Sequence, residues 1–134
     1  MRLKRPLALA ITLLGACKPP TPSEQMDSIK SWLATADIVG QTWLRRTTPD
    51  KYSRQTLELS HETLLHISND LLASLPPAID SAMLDSVLVR SRGRLDQMAR
   101  LIEAKNSPEF QRQLDSLRAD EKVVDQISDR MPKQ

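Results

Sequence analysis

Cysteine, glycine and aromatic residues are scarce in this chain, which has one cysteine, three glycines and only four aromatic residues. A single cysteine excludes an intrachain disulfide, so packing alone must stabilise the fold. Few aromatic residues and few glycines argue against a β-sandwich, whose strands and tight turns depend on them. The many leucine, serine, aspartate, arginine and glutamine residues instead favour an all-α fold.

The motifs of several enzyme and cofactor classes are also missing from the sequence. No serine lies in a Gly-x-Ser-x-Gly elbow, and no glycine-rich loop is present to hold a phosphate. No Cys-x-x-Cys-His motif is present for covalent haem attachment. We therefore expect neither enzymatic activity nor a bound cofactor.

One cluster has metal-ligand character and consists of Glu58, His61, Glu62 and His66. Glu58 and His61 have the i, i+3 spacing of di-iron sites in helical bundles, but no third histidine exists for a second such pair. His61 and His66 are about 140° apart around a helix, so they do not converge on one ion. We therefore expect no metal site and predict that His61 lies at the boundary of the core.

The N-terminus carries the three parts of a secretory signal peptide. Residues 1–5 include the basic residues Arg2, Lys4 and Arg5, residues 7–14 are mostly apolar, and the small residues Gly15 and Ala16 precede Cys17. The apolar stretch is too short for a stable membrane-spanning helix, which needs about 20 residues. The sequence therefore predicts a cleaved leader over residues 1–16.

The segment Leu14-Gly15-Ala16-Cys17 resembles the lipobox of bacterial lipoproteins. In that family the cysteine thiol receives a diacylglyceryl group, the leader is cut just before the cysteine, and the new amine is usually acylated. The resemblance implies lipidation of Cys17 and stable anchoring, since two or more acyl chains hold a protein on a membrane. Lys18 stands where aspartate signals inner-membrane retention in enteric bacteria, which implies the periplasmic face of the outer membrane. An ordinary secretory signal with an incidental Cys17 is the alternative.

Removal of the leader changes the apparent charge of the protein. The whole chain has 19 basic and 17 acidic residues, but Arg2, Lys4 and Arg5 lie in the leader, which leaves 16 basic residues. This near-neutral balance removes the charge-based argument for nucleic-acid binding, and we expect no nucleic-acid partner.

Proline-containing breaks divide the remaining chain into segments of similar length. The segment Thr21-Pro22-Ser23-Glu24 has the spacing of a capping box, with proline at the first helical position. Thr48-Pro49-Asp50 and Ser107-Pro108-Glu109 repeat this order of cap, proline and acid. The predicted helices cover about 22–46, 49–75, 78–105 and 108–131. The predicted organisation is a leader over 1–16, a lipidated cysteine with a Pro-rich linker over 17–22, and a helical domain over 23–134.

Apolar residues recur at alternating three- and four-residue spacings along each segment, as a buried helix face requires. The predicted stripes are Met26, Ile29, Leu33, Ala36, Gly40 and Trp43; Leu57, His61, Leu64, Ser68, Leu71 and Leu75; Leu84, Leu88, Ser91, Leu95, Met98 and Ile102; and Phe110, Leu114, Leu117, Val124, Ile127 and Met131. Asp120 and Glu121 interrupt the fourth stripe, and Gly93 could kink the third helix. Equal lengths and short connections predict an antiparallel up-down four-helix bundle. The alternative is an extended helical hairpin that completes its core by oligomerising.

Two features of the predicted surface could contact a partner or lipid. Arg90 and Arg94 share one helix face at i, i+4 and could bind lipid phosphates or an acidic protein. Trp32 lies at the edge of the first stripe and could reach an interface. The alternatives are a solvated arginine face, partly neutralised by Asp96, and packing of Trp32 against the core.

These observations predict a lipid-anchored, non-catalytic envelope lipoprotein whose bundle serves as an interaction or structural module. Its expected partners are the membrane, through the lipid anchor, and an envelope protein. The alternative function is a bundle that binds a small molecule or a metal. A cavity with convergent polar groups would favour that alternative, whereas a filled core would favour the interaction module.

Overall fold

The computed structural model describes residues 18–132, and these residues form four α-helices of nearly equal length. Helix α1 spans Pro22–Leu44, α2 spans Asp50–Ala73, α3 spans Ser81–Glu103 and α4 spans Ser107–Asp129. No strand occurs between residues 18 and 132. All four predicted helices are confirmed, while the predicted leader and Cys17 lie outside the described residues.

Ion pairs between α1 and α4 establish the relative direction of these helices. Lys30 pairs with Asp125, and Asp37, which is further along α1, pairs with Arg118, which is earlier in α4. Helices α1 and α4 are therefore antiparallel. Each helix packs against the helix that follows it in the chain, and α1 also packs against α4. These contacts close an up-down four-helix bundle. The alternative of an oligomerising hairpin is therefore wrong, because one chain completes its own core.

The predicted stripes supply a continuous hydrophobic core. Every stripe residue predicted for α1 and α3 is buried. In α2 the stripe is buried except at His61, which is half-buried, and Leu75 lies half-buried beyond the end of the helix. The bulkiest fully buried side chains are Phe110, Met26, Ile29, Leu33, Leu57, Leu64, Leu71, Leu84, Leu88, Leu95, Met98 and Ile102.

Side-chain caps define the starts of α1 and α4. The hydroxyl of Thr21 accepts a hydrogen bond from the Glu24 amide at 3.2 Å, as the capping-box spacing predicts. The predicted cap at Ser107 is displaced by one residue, because the side chain of Asn106 accepts the bond from the Glu109 amide at 3.2 Å. Ser107 is instead the first residue of the helix.

Helix α2 begins at Asp50, after Pro49, without a side-chain cap, so the cap predicted at Thr48 is wrong. The Thr48 hydroxyl is engaged elsewhere, since it lies 3.2 Å from the hydroxyl of Thr42 and 3.0 Å from that of Ser53. These contacts tie the α1–α2 connection to the helices on both sides of it.

Helix α3 begins three residues later than predicted, at Ser81. The side chain of Asp80 caps it by accepting a bond from the Met83 amide at 3.1 Å. Ile79 precedes the cap residue and Leu84 lies four residues after it, and both side chains are buried. This spacing is that of a hydrophobic staple. The Asp80 cap therefore sets the helix start, and residues 78–80 remain in the connection.

Helices α1 and α3 end two residues before the predicted ends, and they end in the same way. The Thr47 amide bonds to the carbonyl of Thr42, and the Asn106 amide bonds to the carbonyl of Leu101, as in a Schellman motif. The residues that turn the chain are Arg46 and Lys105, with φ angles of 59° and 54°. Glycine usually occupies this left-handed position, so neither end carries the usual sequence signal.

Helix α3 runs without interruption through Gly93, so no break occurs there. A Cβ atom added at Gly93 would have no neighbour within 4 Å. We expect Gly93→Ala to raise the free energy of unfolding by about 1 kcal/mol, because alanine costs less conformational entropy than glycine within a helix. Urea unfolding followed by circular dichroism measures this change, and a loss of stability would show that Gly93 is needed for packing.

Candidate functional site

A buried carboxylate lies between α3 and α4, where Asp120 has a side chain only 4% exposed. The Nε atom of Arg94 donates to Asp120 Oδ2 at 2.8 Å, and Arg90 Nη2 donates to Oδ1 at 3.4 Å. The Ser91 hydroxyl lies 3.4 Å from Oδ2 and donates more closely to the carbonyl of Val87. We call Asp120, Arg90 and Arg94 the Asp120 cluster.

Arg90 and Arg94, which the sequence predicts as possible partner or lipid contacts, form ion pairs with Asp120 within the protein. Arg94 is 26% exposed and pairs closely with the buried carboxylate, while Arg90 is 49% exposed and pairs at the longer distance. A buried charge needs such partners because desolvation would otherwise cost several kcal/mol. Partner or lipid contact through Arg90 and Arg94 thus stays a prediction, and any such contact would compete with Asp120.

Asp120 could have been found from the sequence through its spacing. It lies three residues after Leu117 and four before Val124, which places it on the buried stripe rather than in a gap of it. The arginines that neutralise it lie 26 and 30 residues away in the chain. That separation hides the pairing from an inspection of local charge, which on α3 detects the Asp96–Arg100 pair at 2.9 Å instead.

A second polar cluster lies between α1 and α4 and contains Asp37, Gln41, Arg118 and Glu121. Asp37 Oδ1 accepts from Arg118 Nε at 3.1 Å and from Gln41 Nε2 at 2.9 Å. Glu121 Oε1 is buried and has no hydrogen-bond partner. Burial, followed by the repulsion of Asp37, raises the pKa of the Glu121 carboxyl to about 7, although Arg118 partly opposes the shift.

The raised pKa of Glu121 makes the stability of the bundle pH-dependent. Between pH 4.5, the ordinary pKa of a glutamate, and about 7, the folded state holds a proton that the unfolded state has lost. The contribution of Glu121 to the free energy of unfolding therefore falls as the pH rises through this window and levels off above about pH 7. We expect Glu121→Gln to stabilise the fold by about 1–2 kcal/mol at pH 8, a figure reduced for partial exposure.

The same substitution should change stability little at pH 5, because glutamine resembles the protonated carboxyl. Glu62→Gln is the matched control, since Glu62 is exposed on α2. Denaturant unfolding at pH 5 and at pH 8 gives the two differences. Equal effects of Glu121→Gln at both pH values would contradict the assigned pKa.

The other candidate residues lie apart from these clusters. Trp32 is half-buried and packs against the core. His61 Nδ1 lies 3.0 Å from the carbonyl oxygen of Arg92, at the boundary between α2 and α3. Glu58, Glu62 and His66 are exposed. Within residues 18–132, no group of three His, Cys, Asp or Glu side chains is arranged to hold a metal ion.

A cleft of about 470 Å³ opens at the end of the bundle where α1 and α3 terminate, and we call it the distal cleft. It is lined by Trp43, Leu44, Arg46, Thr48, Asp50, Lys105 and Ser107. The indole of Trp43 forms its inner wall by packing on Phe110, with ring centroids 4.5 Å apart. The Trp43 Nε1 atom donates to Asp50 Oδ1 at 2.8 Å, which fixes the start of α2 against the end of α1.

Sequence reasoning did not predict the distal cleft, because its lining comes from both connections at this end of the bundle. A second cleft of about 330 Å³ follows α1 and α4 beside Lys30, Glu121 and Asp125. Both clefts are open to solvent. These two clefts thus lie at the surface of the described part of the chain, outside the packed core.

Comparisons with known proteins give no family for this chain: no family model matches it, and no significant match is found among curated proteins or solved structures. None of the helices between residues 18 and 132 is both long and apolar enough to cross a membrane. The functional argument therefore depends on the residues of this chain alone.

Proposed function

We propose that this protein is a lipid-anchored module of the bacterial cell envelope, held through Cys17, that acts by binding and not by catalysis. The observation that carries the proposal is the combination of a lipobox with a bundle whose core is filled by side chains of all four helices. A filled core supports the interaction module over a ligand site between the helices.

The position of the predicted lipid relative to the bundle supports an outward-facing role. Only residues 18–21 separate Cys17 from the start of α1 at Pro22. Such a linker reaches roughly 12 Å when extended as polyproline, so one end of the bundle stays near the bilayer. Helix α1 has 23 residues and is therefore about 35 Å long. The distal cleft lies at its far end and faces away from the membrane in this arrangement.

Membrane fractionation with in-cell crosslinking in the native host tests the proposal. We expect the native chain in the outer-membrane fraction, crosslinked to an envelope protein in a fixed ratio. The matched control is Cys17→Ser, which removes the acylated atom and should block both acyl labelling and cleavage of the precursor.

The outcomes separate the two parts of the proposal. Normal processing and membrane retention of Cys17→Ser would contradict the lipid anchor. An anchored protein that gives no crosslinked partner would contradict the interaction module. Copurification in native mass spectrometry of a small molecule or metal that is not an oxyanion would then favour the alternative of a ligand site between the helices.

A further inference from the structure

The distal cleft carries positive charge that the protein itself leaves unneutralised. Arg46 and Lys105 line the cleft, are exposed, and form no ion pair with any carboxylate between residues 18 and 132. The one carboxylate in the lining belongs to Asp50, which accepts the indole N–H of Trp43. Asp50 keeps its negative charge, but neither cation lies within ion-pair distance of it, so both remain available to a ligand and the lining has one more positive than negative side chain.

The other polar groups of the cleft suit an oxyanion. Ser107 places a hydroxyl donor in the lining, whereas the Thr48 hydroxyl is already bonded to Thr42 and Ser53. Asp50 and Ser107 are the first residues of α2 and α4, so two helix N-termini also open at this end. The first-turn amides of α2 have no side-chain cap, and the helix dipole adds to the attraction for negative charge. The start of α4 contributes less, because Asn106 caps the Glu109 amide and Pro108 has no N–H.

The cations occupy backbone positions that are costly for them. Arg46 and Lys105 both adopt the left-handed conformation in which glycine carries no Cβ penalty. A glycine at each position would make the same Schellman turn. In this chain the two positions instead direct long basic side chains from different connections to the same cleft.

From the cleft, its two unpaired cations and the hydroxyl of Ser107, we propose that the distal cleft binds a small ligand through an oxyanionic group, a phosphate or a carboxylate. Arg46 contributes a planar pair of donors and Lys105 a compact charge, while the half-buried Leu44 adds a small apolar surface beside them. This inference goes beyond the proposed function and does not depend on lipidation.

Isothermal titration calorimetry of the full chain in non-ionic detergent tests the site, with inorganic phosphate and succinate as separate probes. We expect saturable binding of at least one probe at a single site. Binding of phosphate alone identifies a phosphate site and binding of succinate alone a carboxylate site, and both results support the proposal. Absence of saturable binding by both probes would overturn it.

The decisive variant is Arg46→Gly combined with Lys105→Gly. We expect it to weaken binding at least about tenfold while raising the midpoint of thermal unfolding, because glycine relieves both left-handed positions. A loss of affinity in a more stable protein cannot be attributed to misfolding.

The matched control is Arg45→Gln combined with Lys51→Gln, which removes the same charge from the same end but from outside the cleft lining. It should retain affinity within about twofold. Equal losses in the two double variants would show diffuse attraction to a basic surface and would overturn the proposal of a defined site. Unchanged affinity in the glycine variant would do the same.

Discussion

Arg94→Met is expected to lower the free energy of unfolding by about 3 kcal/mol, because it leaves the buried Asp120 carboxylate without its closest partner. Methionine keeps much of the side-chain length but removes the charge and the N–H donors. Arg90 remains, but it is half-exposed and lies 3.4 Å from Asp120, so it compensates only in part. Urea unfolding at pH 7 gives the difference between the variant and the native protein.

A double-mutant cycle shows whether this loss comes from the unpaired charge. Asp120→Leu in the Arg94→Met background should recover most of the stability, since the buried charge is then gone and the site becomes apolar. Arg92→Met is the matched control on the same helix, because Arg92 makes no ion pair among the described residues and offers only its backbone carbonyl to His61. Additive effects of Arg94→Met and Asp120→Leu would contradict the pairing.

Because Arg90 and Arg94 pair with Asp120, a test of their contacts with a partner must use substitutions that leave the fold intact. The charge-reversal variant Arg90→Glu with Arg94→Glu would place two carboxylates beside the buried carboxylate of Asp120. We expect this variant to be destabilised, so a loss of partner binding in it would not identify an interface. Arg90→Gln is the better probe, since Arg90 makes the longer and more exposed of the two contacts.

Gly40→Val is expected to lower the free energy of unfolding by about 3 kcal/mol, through overpacking between α1 and α4. A Cβ atom at Gly40 would lie 3.1 Å from Leu114 Cδ1 and 3.4 Å from Phe110 Cε1. The two γ-carbons of valine would extend further into these side chains and force the helices apart. Thermal and urea unfolding both measure the loss.

Gly93→Val is the matched control, because the same residue is introduced into open space on α3. Its effect should be within about 0.5 kcal/mol of zero, since valine is a slightly better helix former than glycine. Similar losses at Gly40 and Gly93 would attribute the effect to valine in a helix and contradict close packing of α1 on α4.

The bundle was predictable because burial follows spacing. Residues such as Leu33 and Leu95 recur at three- and four-residue intervals, and these intervals identify the buried face without knowledge of neighbouring helices. The helix ends were less predictable, since Arg46 and Lys105 stand where glycine usually marks the turn. The cap predicted at Thr48 is wrong because its hydroxyl bonds to those of Thr42 and Ser53 instead, and these three residues come together only in the folded chain.

The candidate sites were less predictable than the fold, because their residues meet only across helices. The spacing alone places Asp120 on the buried stripe, but its pairing with Arg90 and Arg94 is established only when α3 and α4 pack together. The distal cleft likewise needs both inter-helix connections in place. The segment that resembles a lipobox is local and readable from the sequence, yet Cys17 lies outside the described residues, so both the motif and its modification stay predictions.

Intact-mass spectrometry of the protein, extracted from the membranes of its native host, tests the central claim most directly. The account predicts a chain that begins at Cys17 and carries the added mass of a diacylglyceryl group, with or without a third acyl chain on the new amine. A chain that retains residues 1–16, or an unmodified Cys17, would contradict the lipid anchor and the function proposed from it.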